Sequence, residues 1–310
     1  MPKRKKEKNQ KRAIVLTVLG SIVFSVVIAW MLRGANIPLF QPKGMIAAEQ
    51  YRLLMSLIVL LTGIAVPVVL VMYLVVWKYR NTNTKSEYDP NAGQTKPLII
   101  FLWAFPGAIA IIVGLILWPA THRLEPRKAI SSSVKPMTIQ VIAMRWKWLF
   151  IYPDQKIASV NFAQIPVNTP VEFQITADES PMSSFWIPNL GGQLYAMTGH
   201  INRLNLIANE TGDFQGSTPE INGAGFSSMR FIARSSTTEE FDQWVQNSRQ
   251  SSTVLDTGEY QKLLAPSEKN EVAFYASVDE NIYADLINKY MGSHGHEAAP
   301  QQYDSHEEGH

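Results

Sequence analysis

The side chains best suited to hold a redox metal or carry a covalent intermediate are thiolates and imidazoles. This chain of 310 residues has no cysteine and six histidines. Without cysteine there can be no disulfide, thiol nucleophile, zinc ribbon, iron–sulfur cluster, thiolate copper site or cysteine-linked lipid anchor. The histidines make no ligand spacing. His122 and His200 stand alone, and His294, His296, His306 and His310 lie among Glu297, Asp304, Glu307 and Glu308 at the end of the chain. Such a tract can bind metal ions loosely, yet its composition favours solvated, disordered polypeptide. His200, a single imidazole without partners, reads as a surface or structural residue. With 28 Lys plus Arg against 26 Asp plus Glu, no uniformly basic face points to nucleic acid.

The elements that would position any site divide the chain in two. Ala13 to Leu32, Leu53 to Trp77 and Leu98 to Trp118 are uncharged runs of 20, 25 and 21 residues. Each reaches the roughly 20 residues a helix needs to cross a hydrocarbon core. Trp30, Trp77 and Trp118 stand at or near their ends, where amphipathic rings favour the membrane interface. Pro67 and Pro106 fall mid-span, where neighbouring helices can satisfy the freed carbonyls. Residues 1–12 hold seven Lys and Arg against three in residues 33–52, which predicts a cytoplasmic N-terminus and an exported C-terminal half. The first run also fits a secretory signal, but it is long for one and Arg33-Gly34-Ala35 makes a poor cleavage site. An uncleaved anchor is the preferred reading. None of the runs contains Asp, Glu, Lys, Arg or His, so they can supply neither a proton relay nor a haem ligand.

Beyond Pro126 the pattern becomes that of short strands. Met137–Met144 is apolar at nearly every position, which predicts a strand buried on both faces or covered by a partner. Trp146–Tyr152, Ala158–Phe162, Val171–Thr176, Leu204–Ile207 and Met229–Ala233 continue the rhythm between turn residues, as in a β-sandwich or barrel. After Ser236 the period turns helical. Thr237-Thr238-Glu239-Glu240 is a capping-box pattern, with Phe241, Trp244 and Val245 on one face. Ser277-Val278-Asp279-Glu280 is expected to open a second helix carrying Ile282, Leu286 and Tyr290. The aromatic content of this region predicts packing against the sandwich or a partner.

Several stretches together resemble subunit II of the haem–copper respiratory oxidases, in the quinol-oxidising branch of the cytochrome bo type. They are Met144-Arg145-Trp146-Lys147-Trp148, Ser183-Ser184-Phe185-Trp186-Ile187-Pro188-Asn189-Leu190-Gly191 with Gln193–Met197, and Gly223-Ala224-Gly225-Phe226-Ser227-Ser228-Met229. Phe241-Asp242-Gln243-Trp244-Val245 and Leu264-Ala265-Pro266-Ser267-Glu268 extend the resemblance to about residues 40–291. It implies an α+β membrane protein, with N-terminal transmembrane helices, an exported all-β cupredoxin-like sandwich and a C-terminal helical extension. The expected boundaries are 1–36 for the basic start and first segment, 37–125 for a helical hairpin and 126–235 for the sandwich. Residues 236–291 would be the extension and 292–310 the tail.

In the cytochrome-c-oxidising branch the sandwich holds two coppers through two thiolates, two imidazoles and a thioether, soft ligands suited to that metal. By the resemblance those positions are Ser183, Thr218, Asn222 and Phe226 here, with Met229 alone keeping a ligand type. The resemblance therefore implies no cofactor, catalytic residue or metal in this chain. Phe226 is expected to fill the vacated volume and Met229 to be a core methionine. Haems, copper and the quinol site would belong to the catalytic subunit I, with subunit III and a small subunit IV as further partners in a bacterial cytoplasmic membrane. Ubiquinol is the donor the resemblance points to, since a donor arriving within the bilayer needs no exported copper relay. Relatives tend to carry a glutamate before the Trp-x-x-Pro of the last span, at the mouth of a proton channel, where this chain has Ile99 with Lys96 nearby. The competing readings are a stand-alone exported cupredoxin-like module without a respiratory role, and a copper-handling protein using the His-rich tail.

Overall fold

In the computed structural model the described residues are Val23, Val27, Trp30, 37–80, Asn83 and 95–291. Most of the first hydrophobic segment and the whole His-rich tail lie outside them, so the expectations for both rest on sequence. The chain divides into two units, Met1–Gln41 and Pro42–His310. In the first, Pro38–Phe40 is a single 3-10 turn with proline in its first positions, closed by Gln41 N donating to Pro38 O at 3.0 Å.

The second unit begins with two long helices, α1 (Met45–Lys78) and α2 (Lys96–Arg123), both long and apolar enough to cross a membrane. At 1.5 Å per residue the 34 residues of α1 extend about 50 Å, well beyond a hydrocarbon core of about 30 Å. Much of the excess lies before Leu53, where the polar Glu49, Gln50 and Arg52 fall. Pro67, Pro106 and Pro119 are accommodated inside the helices.

Eleven strands follow: β1 (Met137–Met144), β2 (Lys147–Tyr152), β3 (Ile157–Val160), β4 (Phe162–Pro166), β5 (Val171–Ala177), β6 (Ser183–Phe185), β7 (Leu194–Ala196), β8 (Asn202–Leu206), β9 (Gly212–Ser217), β10 (Arg230–Ser236) and β11 (Ala273–Tyr275). They form a six-stranded sheet in the order β11-β3-β2-β1-β5-β8, a three-stranded sheet β4-β10-β9 and a hairpin β6-β7. The sheets are mixed, since β1 runs parallel to β5 and β4 to β10. Asn161, at φ 56°, turns the chain from one sheet to the other between β3 and β4.

Alternation along β1 explains why the strand is apolar throughout. Ile139, Val141 and Ala143 enter the core between the sheets, while Ile142 and Met144 enter a second apolar cluster on the opposite face. Rings fill the inner core, where Phe185 stacks on Phe231 at 5.0 Å and meets Trp148 edge-on at 5.3 Å. The outer face is covered by the C-terminal extension through Tyr260, Leu264, Ile282, Tyr283 and Leu286, so the predicted aromatic packing is intramolecular.

That extension consists of α3 (Thr238–Arg249), α4 (Thr257–Leu264) and α5 (Ile282–Met291). The capping box of α3 forms as predicted, with Glu240 N donating to Thr237 Oγ1 at 3.2 Å and Thr237 N to Glu240 Oε2 at 3.0 Å. Ser277 does not open α5. Leu255 N donates to Ser277 O at 2.9 Å and Val278 bridges Leu255, so this segment stays extended and the helix starts at Ile282. Helix α4 has no counterpart in the sequence expectations, although Asp256 caps it through Glu259 N at 2.8 Å.

Candidate functional site

Four of the five positions marked by the sequence meet between β6 and β10. Asn222 Nδ2 donates to Ser183 Oγ at 2.8 Å and approaches Met229 Sδ at 3.1 Å, and Ser184 N donates to Thr218 Oγ1 at 3.1 Å. Ser183 Oγ passes the chain on to Pro181 O at 3.0 Å. All four side chains are buried, and Met229 belongs to the inner core. Asn222 Oδ1 is enclosed without a protein partner. Two hydroxyls, an amide and a thioether are a weak, mostly hard donor set, with no thiolate or imidazole to hold copper through its Cu(I) state. The residues present do not fit a binuclear copper centre. Among the described residues no group of three or more His, Cys, Asp or Glu is placed to hold a metal ion.

Phe226 stands apart from the four. It opens a 3-10 turn (Phe226–Ser228), is only partly buried and belongs to neither apolar cluster, so it does not fill the space as expected. The loop is covered instead by the Trp146 indole from the β1–β2 turn. A Cβ added at Gly225 would lie 2.4 Å from its ring, and one at Gly223 would lie 3.1 Å away. Glycines at these two positions leave a bare backbone surface on which a large ring can lie flat. Trp146 reaches it from a left-handed backbone, φ 63°. The Gly-Ala-Gly run was a visible cue to this close approach, but nothing in the sequence named its partner. Next to the loop, the Tyr195 hydroxyl bonds the Glu220 carboxylate, whose hydrogen bond and charge raise the phenol above its ordinary value. His200 is exposed.

The same stretch that begins at Ser183 ends on the first membrane helix. Lys43 N and Gly44 N both donate to Asn189 O, at 2.8 and 3.1 Å, and Ala47 N donates to Leu190 O at 3.1 Å. These bonds satisfy orphan donors at the start of α1, which has no side-chain cap. Gly44 also bridges Ala208, and Asn209 N returns to Lys43 O at 2.9 Å. The Trp186 indole holds the turn closed by donating to Gly191 O at 3.1 Å. In the segment just after α2, Pro126 O accepts from Asn205 N and Nδ2 at 3.0 and 3.2 Å. The domain is therefore joined to the start of α1 and to the segment following α2 by contacts that the sequence did not reveal.

Two buried polar groups fasten the extension. Lys147 Nζ donates to Leu263 O and Ala265 O at 2.8 and 3.0 Å, closing the end of α4, and burial pushes its amine below the ordinary value. Asp178 accepts from Tyr260 OH at 2.7 Å, Tyr290 OH at 2.8 Å and Lys289 Nζ at 2.9 Å. Ile99 lies in the first turn of α2, which contains no acidic residue.

Residues 159–236 match the family profile described as cytochrome c oxidase subunit II, periplasmic domain, and residues 249–294 match the COX aromatic rich motif. A protein of Pseudomonas putida named cytochrome bo(3) ubiquinol oxidase subunit 2 is 41% identical over 84% of this chain and 83% of its own length. The chain belongs to the ubiquinol oxidase subunit 2 family. An Acetobacter aceti member, named ubiquinol oxidase subunit 2, is 38% identical over 84% of this chain and 85% of its own. Among solved structures, the periplasmic domain of subunit II of cytochrome oxidase from Bradyrhizobium japonicum aligns at 25% identity and a TM-score of 0.35, over 39% of this chain and 96% of that one. Family membership accounts for the cupredoxin-like domain, the two apolar helices before it and the aromatic extension behind it. It also makes this chain a membrane-anchored subunit of a haem–copper oxidase complex.

Proposed function

We propose that this chain is the non-redox subunit 2 of a proton-pumping terminal ubiquinol oxidase, anchoring and bracing the subunit that carries haems and copper. The observation that carries the proposal is the Ser183–Asn222–Met229 cluster, which occupies the ligand loops with groups unable to relay electrons. Ser183, Thr218, Asn222 and Phe226 are then vacated ligand positions and Met229 a retained one. A quinol dissolved in the bilayer delivers electrons directly to the catalytic subunit, so loss of an exported relay costs the enzyme nothing. Bracing follows from the joint, because a domain bonded to the start of α1 and to the segment just after α2 transmits their position to whatever it contacts outside the membrane. The domain faces the exterior or periplasm of a bacterial cytoplasmic membrane, residues 1–12 face the cytoplasm, and subunits I, III and IV are the partners. The chain divides at about residues 36, 125, 235 and 291. By the resemblance Ile99 stands where relatives carry an acid, so proton entry by that route uses another group.

The test is mild-detergent purification of the tagged chain, followed by a visible spectrum and oxygen uptake with ubiquinol or reduced cytochrome c. Co-purifying haem and uptake driven by quinol alone are expected. A preparation without a haem-bearing partner refutes the assignment, as does uptake from cytochrome c or stoichiometric copper in this subunit.

A further inference from the structure

Between the domain-side ends of α1 and α2 lies a cleft of about 490 Å³, lined by Gln50, Leu53, Ala120, His122, Leu124 and Glu125 among others. Its depth in a membrane follows from the sequence. The apolar run of α1 begins at Leu53 and that of α2 ends at Trp118, which is 73% exposed and stands where an interfacial ring belongs. The cleft is thus apolar on its bilayer side and polar at headgroup level.

Apart from the Gln50 amide, which can donate to a phosphate, its polar groups offer acceptors. Glu125 has no ion-pair partner among the described residues. His122 Nδ1 lies 2.8 Å from Trp118 O, a carbonyl that can only accept, so this ring nitrogen donates back to the helix and is committed there. Thr121 Oγ1 donates to Leu117 O at 2.8 Å, which commits its hydrogen and leaves its lone pairs. Helix α2 ends here at Arg123, so its last carbonyls carry the negative end of the helix dipole. A carboxylate, hydroxyl and carbonyl acceptors, one amide and an apolar floor match a zwitterionic lipid headgroup bearing a primary ammonium.

We propose that this cleft binds the headgroup of phosphatidylethanolamine, its ammonium donating to Glu125 and its acyl chains lying along the apolar faces of α1 and α2. Phosphatidylcholine has the same charges but no N–H to donate, and phosphatidylglycerol has no cation, so both are disfavoured. The site rests on the chain being membrane-anchored and is independent of which donor reduces the oxidase.

The experiment uses the delipidated oxidase complex in mild detergent, with dioctanoyl forms of the three phospholipids as probes. Native mass spectrometry counts bound lipid and tryptophan fluorescence follows thermal unfolding. One phosphatidylethanolamine should be retained with this subunit and should raise the unfolding midpoint, with the other two lipids weaker by about tenfold, the scale of one charge-assisted hydrogen bond. Glu125→Gln should weaken phosphatidylethanolamine binding about tenfold while oxygen uptake stays unchanged. Glu49→Gln, a carboxylate on α1 outside the cleft lining, should leave binding intact. Equal responses to the three lipids overturn the proposal, as do equal losses in the two variants or a bound structure with a partner side chain filling the cleft.

Discussion

Gly44 is the residue on which the mount of the domain can be tested most sharply. Its backbone, at φ −126° and ψ 158°, is extended and open to any residue, so the effect of a side chain there is steric. A Cβ would lie 2.5 Å from Ile207 O and 2.9 Å from Leu190 O, both backbone atoms that cannot rotate away. Overpacking of this kind costs about 1–3 kcal/mol. Relief by backbone displacement would sacrifice the bonds from Lys43 N, Gly44 N and Ala47 N, each worth roughly 1 kcal/mol net. Gly44→Ala should therefore weaken docking of α1 on the domain by about 2–4 kcal/mol, raising the detached population roughly 30- to 1,000-fold. Neither the sandwich core nor α1 itself contains this residue, so each should remain folded. The absence of native cysteine gives a clean readout. Gln50 Nε2 lies 3.1 Å from where a Gly192 Cβ would be, so Gln50→Cys with Gly192→Cys should cross-link through a short bifunctional maleimide. Adding Gly44→Ala should reduce that cross-link several-fold and expose the segment around residue 43 to protease. Undiminished cross-linking with unchanged proteolysis would show that the joint yields at little cost, and the steric reasoning would fail.

Three further outcomes follow from the packing. Asp178→Ala removes the acceptor shared by Tyr260, Tyr290 and Lys289; the lysine keeps Glu179, but the buried Tyr260 hydroxyl is left unpaired, costing about 1–3 kcal/mol, and limited proteolysis should then cleave first between α3 and α5. Gly225→Val should displace Trp146 from the loop, lower stability by about 1–3 kcal/mol and red-shift the tryptophan emission, whereas Ser227→Ala on the exposed side of the same loop should change neither. Burial raises the phenols of Tyr152, Tyr260 and Tyr283 above their ordinary value of 10.0. The folded state then holds protons that the unfolded chain releases, so their stabilisation is complete below pH 10 and declines as pH rises beyond it. Lys147, lowered by burial, acts oppositely in the window just below 10.5, but one amine opposes three phenols. Unfolding midpoints should fall steadily above pH 10, and Tyr283→Phe should flatten that fall.

Legibility in the sequence tracked how local the cause was. The α3 cap was readable because its partners are three residues apart, and β1 because burial on both faces demands unbroken apolarity. Helix α4 was missed because only Tyr260 and Leu264 of its 8 residues are buried, too few to set a period. Strands β6, β7 and β11 have 3 residues each, too short for alternation to register. The ligand positions were named by resemblance. That Asn222 would bond Ser183, 39 residues away, depends on how β6 and β10 are brought together, which no local pattern encodes. Phe226 was misjudged for the same reason: a ring adjacent in sequence was expected to fill the space, and Trp146, 79 positions earlier than Gly225, covers the loop instead.

Under the function proposed above, the arrangement also supplies a physical reason for the domain to persist without a metal. A metal centre ties together the loops that ligate it, and its removal leaves them free to separate. Here the Asn222 amide spans the same gap, with Ser183 Oγ on one side and Met229 Sδ on the other. Only six residues after Ser183, Asn189 O receives Lys43 N and Gly44 N at the start of α1. Displacement of β6 would therefore travel through Trp186 and its bond to Gly191 O directly into the joint with the membrane helix. Under the function proposed above, electron relay and mechanical support were separable duties of one loop. Substituting the ligands removes the first, while the Asn222 amide, the Trp186 indole and Gly44 preserve the second.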